Sequence, residues 1–203
     1  MYKTNDINSV YVREGQIILF RRIIPMKKII AIVLVVVVAA VAVFALTSNK
    51  GNETSVTPYE GTLEDLTTAL YEANTVEFMT GPAMAIDLTS TDDLFYYTGL
   101  EAADGLTEAI WSESMLGAQP YSLVLAKVGE GADVEAIKAA MFNGINTRKW
   151  ICVEADQLRV VSAADVVMLV MAGSEFAPGL ADGMVEAFTA NVGELSGETL
   201  SRG

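Results

Sequence analysis

The chain has 203 residues, a net charge of −13 and a hydrophobic fraction of 52%, and its length suits one domain plus an appendage. It has no histidine and one cysteine, Cys152, which excludes histidine-dependent catalytic pairs, zinc sites built from His or several Cys, and intrachain disulfides. Its acidity disfavours nucleic-acid binding, because phosphate backbones repel an anionic surface.

The first 28 residues differ in charge from the rest of the chain. They carry six Lys/Arg and two acids, whereas residues 47–203 carry seven Lys/Arg and 24 acids. Met26-Lys27-Lys28 is typical of the start of an exported bacterial protein, and Arg21-Arg22 could be encoded by a ribosome-binding sequence. We therefore interpret residues 1–25 as a cytoplasmic tail or a start-site misannotation.

Residues 26–46 contain the most apolar part of the chain. All 18 residues from Ile29 to Leu46 are apolar, and as a helix they would span about 27 Å, close to a bilayer's hydrocarbon core. The sequence predicts a transmembrane anchor here, and the preceding cations place the C-terminal domain outside the cytoplasm. The alternative is a cleaved signal peptide, with Ala40-Val41-Ala42 or Val43-Phe44-Ala45 before the cut.

The elements of the C-terminal domain are predicted in chain order. Residues 47–61 are polar and read as a flexible linker, and Thr62 then caps a helix that runs to about Ala73. A short extended piece at Met84–Leu88 precedes a helical turn that starts near Asp92 and closes at Gly99.

The second half of the domain contains two predicted hairpins. Two strands, 106–115 and 121–128, form the first hairpin, and a helix follows Asp133 with Lys138, Arg148 and Lys149 on its outer face or at its C-terminal end. Strands at 158–161 and 166–171 come next, the latter buried on both faces. The last helix starts around Ser174 and Pro178, and residues 194–203 are predicted to be a disordered tail.

These elements predict an α+β domain over residues 62–193. Two ββα units give a mainly antiparallel sheet with helices packed on it. The pattern resembles a family of uncharacterised extracytoplasmic domains of Gram-positive-type bacteria, which usually follow a signal peptide, a lipoprotein signal or a single anchor. The segments that carry the resemblance are DDLFYYTGL (92–100), YSLVLAKV (121–128), DVEAIKAAMFNGI (133–145) and VVMLVMAG (166–173). This chain lacks the lipobox cysteine, and the resemblance implies no functional residues.

Several residue sets have side chains that could form a chemical site. Asp92 and Asp93 could bind Ca²⁺, but a helix N-terminus accounts for them without the six to eight oxygens that calcium needs. Paired acids could serve a glycosidase, although such a pair needs a defined separation in a cleft. The acidic pairs are Glu64 and Asp65, Glu101 and Asp104, and Glu154 and Asp156.

The remaining sets are also explained by ordinary structure. Ser112, Ser114 and Lys127 match no Ser-Lys motif, and Gly129-Glu130-Gly131 is a turn because it lacks the ending of a phosphate loop. Cys152 is predicted to be a buried small hydrophobe. Four aromatic residues could line a ligand groove or belong to the core, namely Tyr96, Tyr97, Trp111 and Tyr121.

No catalytic, cofactor or metal site is therefore predicted. We expect a membrane-anchored, non-catalytic cell-envelope module that binds a protein or a wall component. The alternative hypothesis is a hydrolase of wall polymers that uses carboxylates. A cleft with a raised-pKa acid would favour the hydrolase, and an apolar patch would favour the binding module.

Overall fold

The computed structural model describes residues 10–13, 16–19, 57–76 and 78–203. The chain divides into two compact units, Met1–Thr54 and Ser55–Gly203. In the first, β1 (Val10–Arg13) and β2 (Gln16–Leu19) pair as an antiparallel hairpin. The predicted anchor, Ile29–Leu46, lies outside the described residues.

None of the helices in the described ranges combines the length and the apolar character that crossing a bilayer requires.

The second unit has four helices among its described residues, and two of them, the first and the third, begin at the predicted caps. The helices are α1 (Leu63–Ala73), α2 (Thr91–Thr98), α3 (Val134–Gly144) and α4 (Leu180–Val192). Side-chain oxygens of Thr62, Ser90 and Asp133 accept hydrogen bonds from the first-turn amides of α1, α2 and α3. Gly99 ends α2 with a φ of 77°, as predicted for a residue without a side chain.

The strands of the second unit form one six-stranded sheet, in which each neighbouring pair is antiparallel. The strands are β3 (Met84–Ala85), β4 (Leu106–Glu113), β5 (Tyr121–Val128), β6 (Gln157–Ala163), β7 (Val166–Ala172) and β8 (Leu200–Arg202). Their order across the sheet is β3-β4-β5-β7-β6-β8. The predicted hairpins β4–β5 and β6–β7 are confirmed, and so is the mixed α+β class.

Helices cover both faces of this sheet, which creates two cores. Alternate residues of β7 point to opposite faces, so Met168 packs with α1 and α4 while Leu169 packs with α2 and α3. Every residue of β7 is buried, which confirms the prediction of a central strand covered on both faces. The two cores explain why a uniformly apolar strand occurs in an antiparallel sheet.

Residues 194–203 differ from the predicted disordered tail. β8 pairs with β6 at the edge of the sheet, in register from Leu158↔Arg202 to Val160↔Leu200. The Lys138 ammonium, 2% exposed, holds the preceding segment by donating to the carbonyl oxygens of Ser196 (2.9 Å) and Glu198 (3.0 Å). The segment is ordered by backbone pairing and by the Lys138 contacts, although few of its side chains are apolar.

The predicted linker and the last helix also need correction at their boundaries. Within the predicted linker, Tyr59 already packs against the domain, because its amide donates to Asp165 Oδ1 at 2.7 Å and its carbonyl accepts from Lys127 Nζ at 3.0 Å. Helix α4 begins at Leu180, later than predicted. Ser174 instead donates from its amide and hydroxyl to the Asp156 carboxylate.

Three predictions of side-chain exposure were wrong. Lys138 and Lys149 are each 2% exposed, although both were expected on an outer face or a helix end. Cys152 is exposed, with a left-handed φ of 64°, although its apolar neighbours suggested a buried residue. The apolar neighbour Ile151 is itself 86% exposed, so this stretch does not follow the core pattern.

Candidate interaction surface

Three connecting segments meet at one end of the sheet, which we call the loop end. Residues 114–120 join β4 to β5, residues 145–156 lead from α3 into β6, and residues 173–179 lead from β7 to α4. Because neighbouring strands are antiparallel, the end of β4, the start of β5, the end of β7 and the start of β6 coincide. Segments from distant parts of the sequence are thus brought to one surface.

The large exposed apolar side chains of the described residues concentrate at the loop end. Met115 (62% exposed), Leu116, Ile151 and Phe176 lie in its three segments, and the Met115 amide donates to the Met79 carbonyl at 2.9 Å. The edge residue Met84 pairs with Trp111 two positions before β4 ends. The complete set is Met79, Met84, Phe95, Tyr96, Met115, Leu116, Ile151 and Phe176.

An aromatic stack adjoins this surface. Tyr97 of α2 lies parallel to Trp111 of β4, with ring centroids 4.4 Å apart, and Tyr96 meets Tyr97 edge-on at 4.8 Å. Three of the four aromatic residues singled out in the sequence therefore do come together. Tyr121 does not join them, because it faces the opposite core and contacts Phe78 and Tyr71.

Lys149 fills the space beside the aromatic stack. Its ammonium lies 4.6 Å from the ring centroid of Tyr96, 5.3 Å from that of Tyr97 and 5.4 Å from that of Trp150. It pairs directly with the Glu113 carboxylate and lies 3.2 Å from Ser122 Oγ. The irregular segment 145–156 is thereby anchored by a buried cation whose contacts come from α2, β4 and β5.

Burial shifts the pKa values of these groups in opposite directions. It lowers the pKa of Lys149, because removal from water disfavours the ammonium, while Glu113 acts in the opposite sense. Burial raises the pKa of Tyr97 to about 12, and the nearby Glu113 carboxylate adds to this shift. Both shifts have burial as their main cause, so both groups are partly shielded from water beside the stack.

The chain enters the domain at the end of the sheet opposite to the loop end. Tyr59 is bonded to Asp165 in the β6–β7 turn and to Lys127 at the end of β5. β5 has eight residues, so about 27 Å separates this entry point from the loop end. The segment around Tyr59 therefore lies far from the loop-end apolar surface and does not cover it.

A shallow cleft forms part of the same end. It has a volume of about 310 Å³ and lies between the end of α1 and the start of α4. Its lining residues are Asn74, Thr75, Phe176, Ala177, Pro178, Gly179 and Leu180. The cleft adds concave shape to a surface that is otherwise formed by protruding side chains.

The structure does not assemble the candidate acidic pairs into a general-acid site. Glu64 and Asp65 occupy the first turn of α1, where they complement the helix dipole. Asp156 accepts two hydrogen bonds from Ser174, and these lower the pKa of its carboxyl group. A lowered pKa is the opposite of what a general acid needs near neutral pH.

The other candidate acids occupy exposed positions. Glu101 and Asp104 lie between α2 and β4, and Glu154 pairs with Arg148 at 3.2 Å. Asp92 and Asp93 lie in the first turn of α2, in agreement with the capping interpretation. Across the described residues, no cluster of three or more Asp, Glu or Cys side chains has metal-binding proximity.

The Ser-Lys combination is dispersed along the first hairpin. Ser112 donates to the Gly81 carbonyl at 2.8 Å and accepts from Tyr71, whereas Lys127 points to Tyr59 at the other end of the strands. Gly131 has a φ of 78° in the predicted turn between β5 and α3. These residues have structural partners and do not form a nucleophile pair.

The sequence did not identify the principal residues of the loop-end apolar surface. Met79, Met115, Ile151 and Phe176 are separated by up to 97 positions, and only the sheet topology brings their segments to one end. One local signal was present, since Leu116 and Ile151 stand outside the predicted strands and helices. Apolar residues in such segments can indicate an exposed interaction site.

Comparisons with known proteins yielded no match to a protein-family model, to a curated protein or to a solved structure. The resemblance to Gram-positive extracytoplasmic domains therefore stays a prediction.

Proposed function

We propose that this chain is a non-catalytic, membrane-anchored module that binds a polypeptide partner outside the cytoplasm through its loop-end apolar surface. The observation that carries the proposal is the concentration of exposed Met, Leu, Ile and aromatic side chains at one end of a rigid sheet. Soluble domains that expose clustered apolar side chains commonly use them in recognition. Without a bound partner, these apolar side chains would remain in contact with water, which is unfavourable.

Methionine suits such a surface because its side chain is flexible and polarisable. Met79, Met84 and Met115 are all at least 50% exposed and can adapt to a partner's contours. The Tyr97–Trp111 stack and the Lys149–Glu113 pair hold the neighbouring backbone in place. The fixed support lowers the ordering cost of binding, because the backbone beneath the methionines is already held in place.

The anchor at Ile29–Leu46 belongs to this proposal and rests on the sequence alone. Its length, its lack of charge and the cations before it support insertion with the C-terminal domain outside. Attachment to a membrane would raise the effective concentration of the domain for partners in the cell envelope.

Site-specific photo-crosslinking in intact cells tests the proposal. A photoreactive amino acid replaces Met115 or Ile151 at the loop end, and Glu130, exposed in the opposite turn, serves as the matched control position. We expect a discrete protein adduct from both loop-end positions and none from the control. Equal adducts from all three positions, or none from either loop-end position, would contradict the proposal.

The alternative of a carboxylate-dependent wall hydrolase is tested separately. The full chain is incubated with purified peptidoglycan, and released fragments are quantified. We expect no release above the level of a chain in which Glu154 and Asp156 are both changed to amides. Release that depends on these two carboxylates would replace the binding proposal with the hydrolase.

A further inference from the structure

We infer that the partner of the loop end is a cationic, amphipathic polypeptide segment, an inference that rests on the proposed binding function. The first argument is the charge of the loop end itself. The two cations within its three segments are paired, since Lys149 pairs with Glu113 and Arg148 pairs with Glu154. The neighbouring Arg202 of β8 donates to the Phe142 carbonyl at 2.7 Å. Among the described residues, Asp156 and Glu175 have no cationic partner there and are both exposed.

The charge of the whole domain acts in the same direction. Residues 47–203 carry 24 acids against seven Lys/Arg, so the domain attracts cationic segments and repels anionic ones. The same repulsion argues against a second copy of this chain as the occupant. Two strongly anionic domains would have to bring their acidic ends together.

The side chains of the loop end complement a mixture of apolar and cationic groups. Met79, Met115 and Ile151 offer apolar contact, and Tyr96, which contacts Lys149 of the segment 145–156, is 42% exposed. The ring of Tyr96 lies 4.6 Å from the Lys149 ammonium, and cationic side chains of a partner can make the same kind of contact with exposed aromatic rings. Polarisable methionines beside carboxylates are suited to basic amphipathic segments.

A random dodecapeptide library displayed on phage tests the inference against the full chain, which is held in nanodiscs of neutral phosphatidylcholine. Empty nanodiscs remove lipid-binding peptides beforehand. We expect the selected peptides to be enriched in Lys and Arg next to Leu, Phe or Trp, and to be depleted of Asp and Glu. Binding of a selected synthetic peptide should weaken as salt is raised, because its charges are screened.

Two charge-reversal variants locate the binding. The loop-end variant carries Glu154→Lys and Glu175→Lys, and the control carries Asp104→Lys and Glu130→Lys, which lie away from the loop end and change the net charge equally. All four residues are exposed, so both variants should fold, as checked by circular dichroism. We expect about a tenfold loss of peptide affinity in the loop-end variant and less than about threefold in the control, because charges about 27 Å away are screened.

The possible results separate this inference from the proposed function. Selected peptides of neutral or acidic composition that still require Met115 and Ile151 would overturn the cationic partner while supporting a polypeptide-binding surface. Equal losses in the two variants would show attraction to total charge only and would overturn the inference. Failure to enrich any peptide would also overturn it, and the crosslinking experiment would then judge the proposed function alone.

Discussion

Lys149 is the residue on which the geometry of segment 145–156 depends. Its ammonium is enclosed by aromatic rings and by Glu113, whose side chain is only 12% exposed. A buried ion pair contributes little net stability when intact, but removal of one partner leaves the other charge without compensation. The pair therefore fixes the position of the loop more than it raises the stability of the domain.

Replacing Lys149 with methionine is expected to lower the free energy of unfolding by about 3–5 kcal/mol. The matched control is Arg148→Met, whose ion pair with Glu154 is exposed and is worth about 1 kcal/mol or less. Urea unfolding followed by circular dichroism gives both values. Adding Glu113→Gln to Lys149→Met should recover part of the loss, and an equal effect of the two single changes would refute the structural role.

Tyr97 links the aromatic stack to pH. Its pKa of about 12 lies above the ordinary value of 10.0, chiefly because of burial and also because of Glu113. Since the folded state holds the phenol proton more tightly than the unfolded state, its contribution to stability is complete below pH 10 and is lost as pH rises through about 12. The stack should weaken in that window.

Absorbance titration at alkaline pH measures this tyrosine directly. The native chain should show a phenol that ionises near pH 12 and is missing from Tyr97→Phe. Glu113→Gln should move this ionisation to lower pH, because it removes the nearby negative charge. A Tyr97 phenol that ionises at its ordinary pKa would show that the ring is not enclosed as described.

At the scale of elements, the C-terminal segment is held to the domain by α3. Lys138 donates to two carbonyls of this segment and pairs with Glu135 Oε2 at 2.6 Å, while Ser162 on β6 donates to Glu135 Oε1 at 2.7 Å. These contacts connect α3, β6 and the chain that leads into β8.

Lys138→Met should lower the free energy of unfolding by about 2–3 kcal/mol, since hydrogen bonds from a charged donor are lost. Hydrogen exchange should accelerate at the amides of Leu200–Arg202 while those of Val166–Ala172 remain protected, because β7 lies inside the sheet. The amides of β7 thus provide an internal control. Unchanged exchange in β8 would contradict the proposed clamp.

The elements that were predicted correctly have local signals. Thr62 and Asp133 cap their helices, Gly99 ends one, and the run from Val166 to Met171 marks a doubly covered strand. Such signals act within a few residues, so a single sequence is sufficient to read them. The helical and strand content of the domain could therefore be derived before any tertiary contact was known.

The predictions that were wrong concern residues whose structure depends on contacts with distant parts of the chain. β8 is ordered by pairing with β6 and by Lys138, neither of which its own polar sequence reveals. Because lysines are rarely buried, Lys138 and Lys149 were expected to be exposed to solvent. Both are buried because each forms an ion pair and hydrogen bonds inside the domain. The candidate surface was missed for the same reason, since strand order alone brings its segments together.

At the scale of the whole molecule, the domain has distinct ends. The chain enters near Asp165, and the exposed apolar side chains lie at the loop end, about 27 Å along the strands. We propose that a polypeptide partner covers this loop end in the cell. Because the chain has methionines both at the loop end and in the cores, the coverage of the loop end can be measured by their oxidation.

The most direct test is a short hydroxyl-radical pulse that oxidises exposed methionines, with sulfoxide at each position read by mass spectrometry. In the purified chain, Met79, Met84 and Met115 should oxidise readily, while the buried Met141, Met168, Met171 and Met184 stay reduced as internal controls. In native membranes, we expect the first three to become protected by about fivefold or more as a partner covers them. Equal oxidation of Met79, Met84 and Met115 in purified protein and native membranes would contradict this proposal.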